Sequence, residues 1–143
     1  MMEKYRDRIL KRINSQYKAV LITGLVILLI GLVIACTLGD LIAGLIIFIF
    51  ISIVMLIATL PMLIKYKKSM NVIASTEPVI CTVTGSGRKH VSSKRTYQVA
   101  YFTYNGEECY AFDYDKQLNE IEAGQQLYVW KISKKGYEIV HAE

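Results

Sequence analysis

Residues 19–64 read AVLITGLVILLIGLVIACTLGDLIAGLIIFIFISIVMLIATLPMLI, and this stretch determines the fold class. Its only ionisable side chains are those of Cys36 and Asp40. At about 1.5 Å per helical residue, residues 19–38 and residues 41–64 are each long enough to cross a hydrocarbon core of roughly 30 Å. The sequence therefore predicts two transmembrane helices.

Gly39 and Asp40 alone separate the two predicted spans. A glycine ends a helix readily because it adopts the left-handed backbone, and an Asp side chain caps the helix that follows. Spans joined so tightly must form an antiparallel hairpin. Gly31, Ala35 and Gly39 recur every four residues, and we expect this small-residue stripe to pack against the second helix or against a second copy of the chain.

Basic residues flank the predicted hairpin and are absent from its turn. Because Lys and Arg near span ends are retained on the cytoplasmic side, the sequence predicts that both termini face the cytosol. Reduced thiols are expected there, and three cysteines without CxxC spacing indicate neither a disulfide framework nor a metal site. The flanking basic residues are Lys4, Arg6, Arg8, Lys11, Arg12, Lys18, Lys65, Lys67 and Lys68.

The segments on either side of the hairpin carry their own patterns. Residues 1–18 are basic and carry apolar side chains at intervals of four, at Tyr5, Ile9, Ile13 and Tyr17, which predicts an amphipathic helix. That helix would lie on the anionic inner leaflet or extend the first span against the soluble domain. Residues 65–77 are interpreted as a basic juxtamembrane linker.

From residue 78 to residue 143 the pattern changes to short alternating runs typical of β-strands. Asn105-Gly106 lies between two such runs, and this pair predicts a two-residue hairpin turn. The turn implies cross-strand partners whose numbers sum to 211, which places Tyr101 opposite Tyr110, Val99 opposite Phe112 and Tyr97 opposite Tyr114. The prediction is thus an α+β membrane protein: a two-helix transmembrane hairpin plus a small antiparallel β-barrel or sandwich of about five strands.

Motifs for common enzyme chemistry are missing from the sequence. There is no Gly-rich phosphate loop between strand and helix, no GxSxG elbow and no HExxH or paired-Cys motif, so we expect no enzyme, no cofactor and no metal site. The best catalytic set would combine Cys81 or Cys109 with His90 or His141. We expect instead buried structural thiols and solvated surface histidines.

The most suggestive stretch is GSGRKHVSSKR, residues 85–95, read as a basic loop or frayed hairpin. An anion would meet basic side chains among Gly and Ser residues that offer backbone donors. Candidate ligands are anionic lipid headgroups, a nucleotide messenger and an acidic patch on a partner protein; the alternative is a solvated loop without a ligand. A nucleic acid polymer is not expected, because acidic residues follow from Glu107 onward. The candidate anion- or partner-binding residues are Arg88, Lys89, His90, Lys94 and Arg95.

The soluble half resembles a widespread family of small bacterial membrane proteins of unknown function, in which a transmembrane hairpin accompanies a small β-domain. The resemblance lies in PVICTV, in TYQVAYFTYNGEECY, and in the Gly124-x-x-Leu127-x-Val129 entry into LYVWKISKKGYEIV. It implies location in the inner (cytoplasmic) membrane and supplies no catalytic residues.

These observations lead to two functional hypotheses. The first is a non-enzymatic, membrane-anchored interaction or regulatory module, in one version a toxin-immunity protein, whose partners are the lipid bilayer and a protein or a second copy of the chain. The second is a ligand-gated membrane effector, in which the β-domain senses an anionic nucleotide and drives the helices to oligomerise.

Overall fold

The computed structural model describes residues 2–37, 39–93, 95–114 and 120–142, with Ser92 described by its backbone only. The chain divides into two compact units. Asp7–Asn71 form a helical unit, and Met1–Arg6 together with Val72–Glu143 form a β unit. The boundaries therefore fall inside both helices rather than at the ends of the predicted spans.

Two long helices form the first part of the chain, α1 over Met2–Thr37 and α2 over Leu41–Ser75. By length and composition, both are long and apolar enough to cross a membrane. Large apolar side chains along them are exposed, including Leu25 at 60% and Ile57 at 69%. These side chains are left outside the helix-helix contact, as a lipid-facing surface requires.

The predicted turn between the helices is confirmed. Gly39 has a left-handed backbone with φ of 69°, and Asp40 Oδ1 accepts from the backbone amides of Ile42 and Ala43 at 2.9 and 3.3 Å. The Asp side chain thus satisfies amides that the first turn of α2 leaves without helical partners.

The helices extend beyond the predicted spans at both distal ends. α1 begins at Met2, so the amphipathic segment is continuous with the first span, and Tyr5, Ile9 and Ile13 are buried within the protein. The stretch interpreted as a juxtamembrane linker, residues 65–77, is helical through Ser75. Its sequence, KYKKSMNVIAS, contains no Pro or Gly that would end the helix.

Small residues allow the two helices to approach each other closely within the helical unit. A Cβ built on Gly44 would lie 2.5 Å from the carbonyl oxygen of Ala35, and one on Gly31 would lie 3.2 Å from two carbon atoms of Ile51. Gly31 and Ala35 therefore lie in the helix-helix contact, as the stripe predicts. Gly39 does not pack there: nothing lies within 4 Å of its Cβ position, and its role is conformational.

The β unit contains one five-stranded antiparallel sheet with the order β3-β2-β1-β4-β5. Five antiparallel strands agree with the prediction, whereas the sheet is open, with β3 and β5 at its edges. The strands are β1 Val79–Ser92, β2 Arg95–Tyr104, β3 Glu107–Phe112, β4 Gln126–Lys131 and β5 Tyr137–His141.

The predicted hairpin register between β2 and β3 is confirmed. Val99 pairs with Phe112 and Tyr101 with Tyr110. Asn105 and Gly106 both have positive φ, at 51° and 82°, as a type I′ turn requires. The third expected pair, of Tyr97 with Tyr114, is not formed, because β3 ends at Phe112; the Tyr97 ring lies 5.3 Å from that of Phe112 instead.

One face of the sheet carries the core of the β unit. Its buried residues come from all five strands, and Phe102, Leu127 and Ile139 are among the largest. On the opposite face, the Tyr5 ring of α1 packs 5.2 Å from that of Tyr128, and the buried indole of Trp130 donates to the backbone oxygen of Thr76 at 3.3 Å. The sheet is therefore partly covered on both faces.

Candidate partner-binding hairpin

The predicted basic loop is an ordered part of the sheet. β1 pairs with β2 through Gly85 opposite Tyr101 and on to Ser92 opposite Arg95, with register shifts near both ends of this segment. Residues 85–104 are called the basic hairpin below. The aromatic strand TYQVAYFTY extends its partner in spite of the Gly and Ser residues, because strand propensity follows packing against neighbours.

The basic hairpin contains basic side chains and no acidic ones. No Asp or Glu occurs between Glu77 and Glu107, so β1 and β2 carry only basic ionisable charges. Arg88 lies exposed on β1, and Arg95 lies exposed at the start of β2. Lys94, also a predicted site residue, lies outside the described residues. The surface is thus electrostatically complementary to an anionic partner.

The basic side chains of β1 alternate between the two faces of the hairpin. Arg88 pairs with Gln98, Lys89 with Tyr97, and His90 with Thr96. Because successive residues of a strand point to opposite faces, Arg88 and His90 share one face and Lys89 lies on the other. Among the described residues of the predicted site, Arg88 and His90 therefore lie on the face opposite to Lys89.

Lys89 joins an aromatic face. Its Nζ lies 3.2 Å from the centroid of the Tyr110 ring, and this ring lies 6.3 Å from that of Tyr101. Tyr110 itself is 41% exposed. A cation over an aromatic ring at this separation contributes about 0.5–1 kcal/mol at exposed sites. The sequence analysis predicted the pair of Tyr101 with Tyr110 and named Lys89 as a basic site residue, but it did not predict that Lys89 contacts Tyr110 across β2.

His90 is positioned by a polar contact with the neighbouring strand. Its Nδ1 lies 3.0 Å from Thr96 Oγ1, and both side chains are exposed. This arrangement agrees with the expected solvated histidine. It also orients the ring on the same face as Arg88, so that the two side chains present a basic surface at the rim of the hairpin.

The thiols form a separate, interior group. Cys81 is buried, and desolvation followed by the charge of nearby Cys109 raises the pKa of its thiol. Cys109 Sγ donates to the hydroxyl of Tyr137 at 3.3 Å, and this contact, with burial, raises the pKa of Tyr137 to about 12. A raised thiol pKa disfavours the nucleophilic thiolate, so Cys81 fits the expected structural role.

His141 differs from the expectation of a solvated histidine. It is only 3% exposed, and its Nε2 donates to Oδ2 of Asp113, itself buried. The alternation of the last strand contains the signal, because Tyr137, Ile139 and His141 fall on one face and two of them line the core. Nδ1 of the same ring has no hydrogen-bond partner in the part of the chain that the structure describes.

Among the described residues, no group of three or more His, Cys, Asp or Glu side chains is placed to hold a metal ion. Protein-family models, curated proteins and solved structures contain no match to this chain.

Proposed function

We propose that the chain is a non-enzymatic membrane-anchored interaction module. In this proposal α1 and α2 cross the bacterial inner (cytoplasmic) membrane with both termini in the cytosol, and the β unit binds an anionic partner through the basic hairpin. The observation that carries the proposal is the combination of two exposed apolar helices with an ordered, wholly basic hairpin in one chain.

The membrane location is supported by the composition of the helices. Exposed apolar side chains such as Leu25 and Ile57 lack a protein cover in the described chain, and a bilayer would supply one. The cytosolic orientation is supported by the Lys and Arg residues at the distal ends of both helices, since the turn around Asp40 has none.

The basic side chains of the hairpin support a role in recognition. Arg88, Lys89, His90 and Arg95 lie on ordered strands, so a partner would meet side chains whose backbone is already held. The alternative, a nucleotide-gated effector, would be supported by convergence of these side chains. Their alternation across two faces favours an extended surface over a single phosphate pocket.

One specific version of this proposal is a toxin-immunity protein that neutralises a toxin acting at the inner membrane. Its partner would be the toxin itself. Expression of the chain should then protect cells that produce a toxin encoded beside it, and protection should fall when Arg88 and Arg95 are changed to Glu.

Site-specific photocrosslinking in living cells tests the general proposal. A photoreactive residue at Val91, 59% exposed on the basic hairpin, should capture one protein partner, and the capture should be lost with Arg88→Glu and Arg95→Glu. The matched control places the same residue at exposed Lys135, in the turn between β4 and β5. Crosslinks to copies of this chain alone would indicate a homo-oligomeric effector and contradict the proposal.

A reporter fusion tests the orientation. A phosphatase that is active only outside the cytoplasm should be inactive when fused after residue 142 and active when inserted after Asp40. Activity of the fusion after residue 142 would contradict the cytosolic placement of the β unit.

A further inference from the structure

β1 is longer than β4, its neighbour on the side that faces away from β2, and this side of β1 is called its outer edge below. It pairs with β4 only from Val79 to Thr82, whereas its pairing with β2 continues to Ser92. Among the described residues, Val83 is the last residue of β1 whose outer backbone groups are bonded: its N–H donates to Gln125 O and its C=O accepts from Gly124 N, both at 2.8 Å. Beyond Val83, no described residue pairs with the outer edge of β1.

The free backbone groups on this edge can be assigned from the hairpin register. Asp113 N donates to Gln98 O, so the backbone groups of Gln98 point toward β3, and those of the next residue, Val99, point toward β1. Val99 pairs with Gly87, whose groups are therefore used within the hairpin. By alternation, the groups of Ser86 and Arg88 point away from β2, and those of His90 do the same.

An edge strand with free N–H and C=O groups is a template for a further strand. The side chains along it restrict what that strand can be. A second copy would bring its own basic hairpin against this one, and like charges on paired strands are destabilising. An acidic strand has no such conflict, because residues 78–106 contain no acidic side chain.

The two faces of this edge also carry different side chains. Ser86, Arg88 and His90 lie on one face of this edge, and Gly85, Gly87 and Lys89 lie on the other. The second face is already occupied within the sheet, because the Tyr101 ring lies 3.0 Å from the Cβ position of Gly87 and Lys89 Nζ lies over the Tyr110 ring. Acidic side chains at alternate positions of an added strand would lie on the face of Arg88 and His90.

We propose that the outer edge of β1 at residues 86–90 binds an extended acidic segment of a partner protein as an additional strand. This inference rests on the proposed function, since it names the chemistry of the partner and its mode of binding. Backbone hydrogen bonds from Ser86, Arg88 and His90 supply part of the affinity, and the basic side chains select the acidic sequence.

Fluorescence anisotropy with a labelled peptide of alternating Glu and Thr tests the proposal on the full-length protein in zwitterionic nanodiscs. The peptide should bind. A Lys-for-Glu peptide and a Glu peptide methylated at every backbone nitrogen should each bind at least about tenfold more weakly, since the first reverses the charge and the second cannot donate backbone hydrogen bonds. Equal binding of the methylated and unmethylated peptides would overturn the proposal.

Protein variants locate the binding edge. Ser86→Pro removes an outward N–H without changing the charge, and an edge strand tolerates proline at such a position. It should weaken peptide binding about tenfold, whereas Ser86→Ala, which keeps the N–H, should bind like the original protein. Equal affinities of the two variants would overturn the proposal, and the methylated peptide keeps the test decisive if Ser86→Pro does not fold.

The remaining outcomes separate this proposal from the proposed function. Binding to anionic vesicles without binding to the acidic peptide would identify a membrane-surface contact and overturn the strand-addition proposal. A protein partner crosslinked through Val91 but unaffected by Ser86→Pro would also overturn strand addition, while leaving the interaction module in place. Absence of any crosslinked partner would instead count against the proposed function.

Discussion

His141 Nε2 donates a hydrogen bond to Asp113 Oδ2, and this bond joins the end of β5 to the residue that follows β3. These strands are the two edges of the sheet, so the bond connects positions that the backbone ladder leaves apart. Both side chains are buried. A polar group that is buried without a hydrogen-bond partner loses its hydration and gains nothing in return. The hydrogen bond between Asp113 and His141 avoids this cost for both side chains and so stabilises the fold.

Replacing Asp113 with Ala should lower the free energy of unfolding of the β unit by about 3 kcal/mol, because it leaves the His141 ring buried without its acceptor. Trp130 is the only tryptophan of the chain and is buried in this unit, so its fluorescence reports unfolding by urea directly. The control Glu122→Ala removes an exposed carboxylate and should change the same quantity by less than about 0.5 kcal/mol. Equal effects would mean that the buried bond does not hold the edges together.

The turn between β2 and β3 offers a matched pair of glycines. Gly106 has φ of 82°, which an L side chain adopts with strain, so Gly106→Ala should destabilise the β unit by about 1 kcal/mol. Gly85 has no neighbour within 4 Å of its Cβ position and no positive φ. Gly85→Ala should therefore be neutral or slightly stabilising in the same urea titration. A similar loss in both variants would contradict the type I′ assignment.

Local signals predicted the parts of the fold that depend on local chemistry. Gly39 with Asp40 and Asn105 with Gly106 act through their own backbone and side chains, and both turns are as predicted. The order and antiparallel pairing of β2 and β3 follow from the second turn. By contrast, the extent of α1 and α2 depends on burial beyond the spans, which apolar length alone does not reveal.

The candidate site was predicted in composition and not in geometry. Gly85 and Gly87 suggested a loop, yet the aromatic β2 strand holds this segment in the sheet, and the Tyr101 ring lies 3.0 Å from the Cβ position of Gly87. The partnership of His141 with Asp113 arises from strands that are not neighbours in the sheet. The sequence analysis expected a solvated His141, and the alternation of β5, which indicates the core face, contains no information about what the side chain meets there.

Tyr137 should make the stability of the β unit depend on alkaline pH. Its pKa is raised from its ordinary value of 10.0 to about 12, first by the hydrogen bond with Cys109 and then by burial. Between these pH values the folded chain keeps the phenolic proton while the unfolded chain releases it, so stability falls as pH rises. Urea titrations across this interval should show a shallower fall for Tyr137→Phe than for the original protein.

Comparison with Tyr110→Phe controls for loss of a hydroxyl from an exposed tyrosine. This variant should retain the full alkaline dependence. Since Cys81 is present in all three proteins, its own raised pKa contributes equally to each and does not affect the comparison. Identical slopes for Tyr137→Phe and the original protein would show that the surroundings of Tyr137 do not raise its pKa in the folded chain.

The close approach of the helices yields a last prediction. An added methyl at Gly44 would lie 2.5 Å from the Ala35 carbonyl oxygen, a backbone atom that cannot rotate away, whereas one at Gly24 would meet Met55 and Thr59 at an ordinary 3.8 Å. Gly44→Ala should therefore destabilise the helical unit by about 1–3 kcal/mol and Gly24→Ala should not, as measured by thermal loss of helical circular dichroism in detergent. If Gly44→Ala instead changed the oligomeric state without changing this melting temperature, the small residues would serve a contact between copies of the chain, and the hairpin would not depend on them.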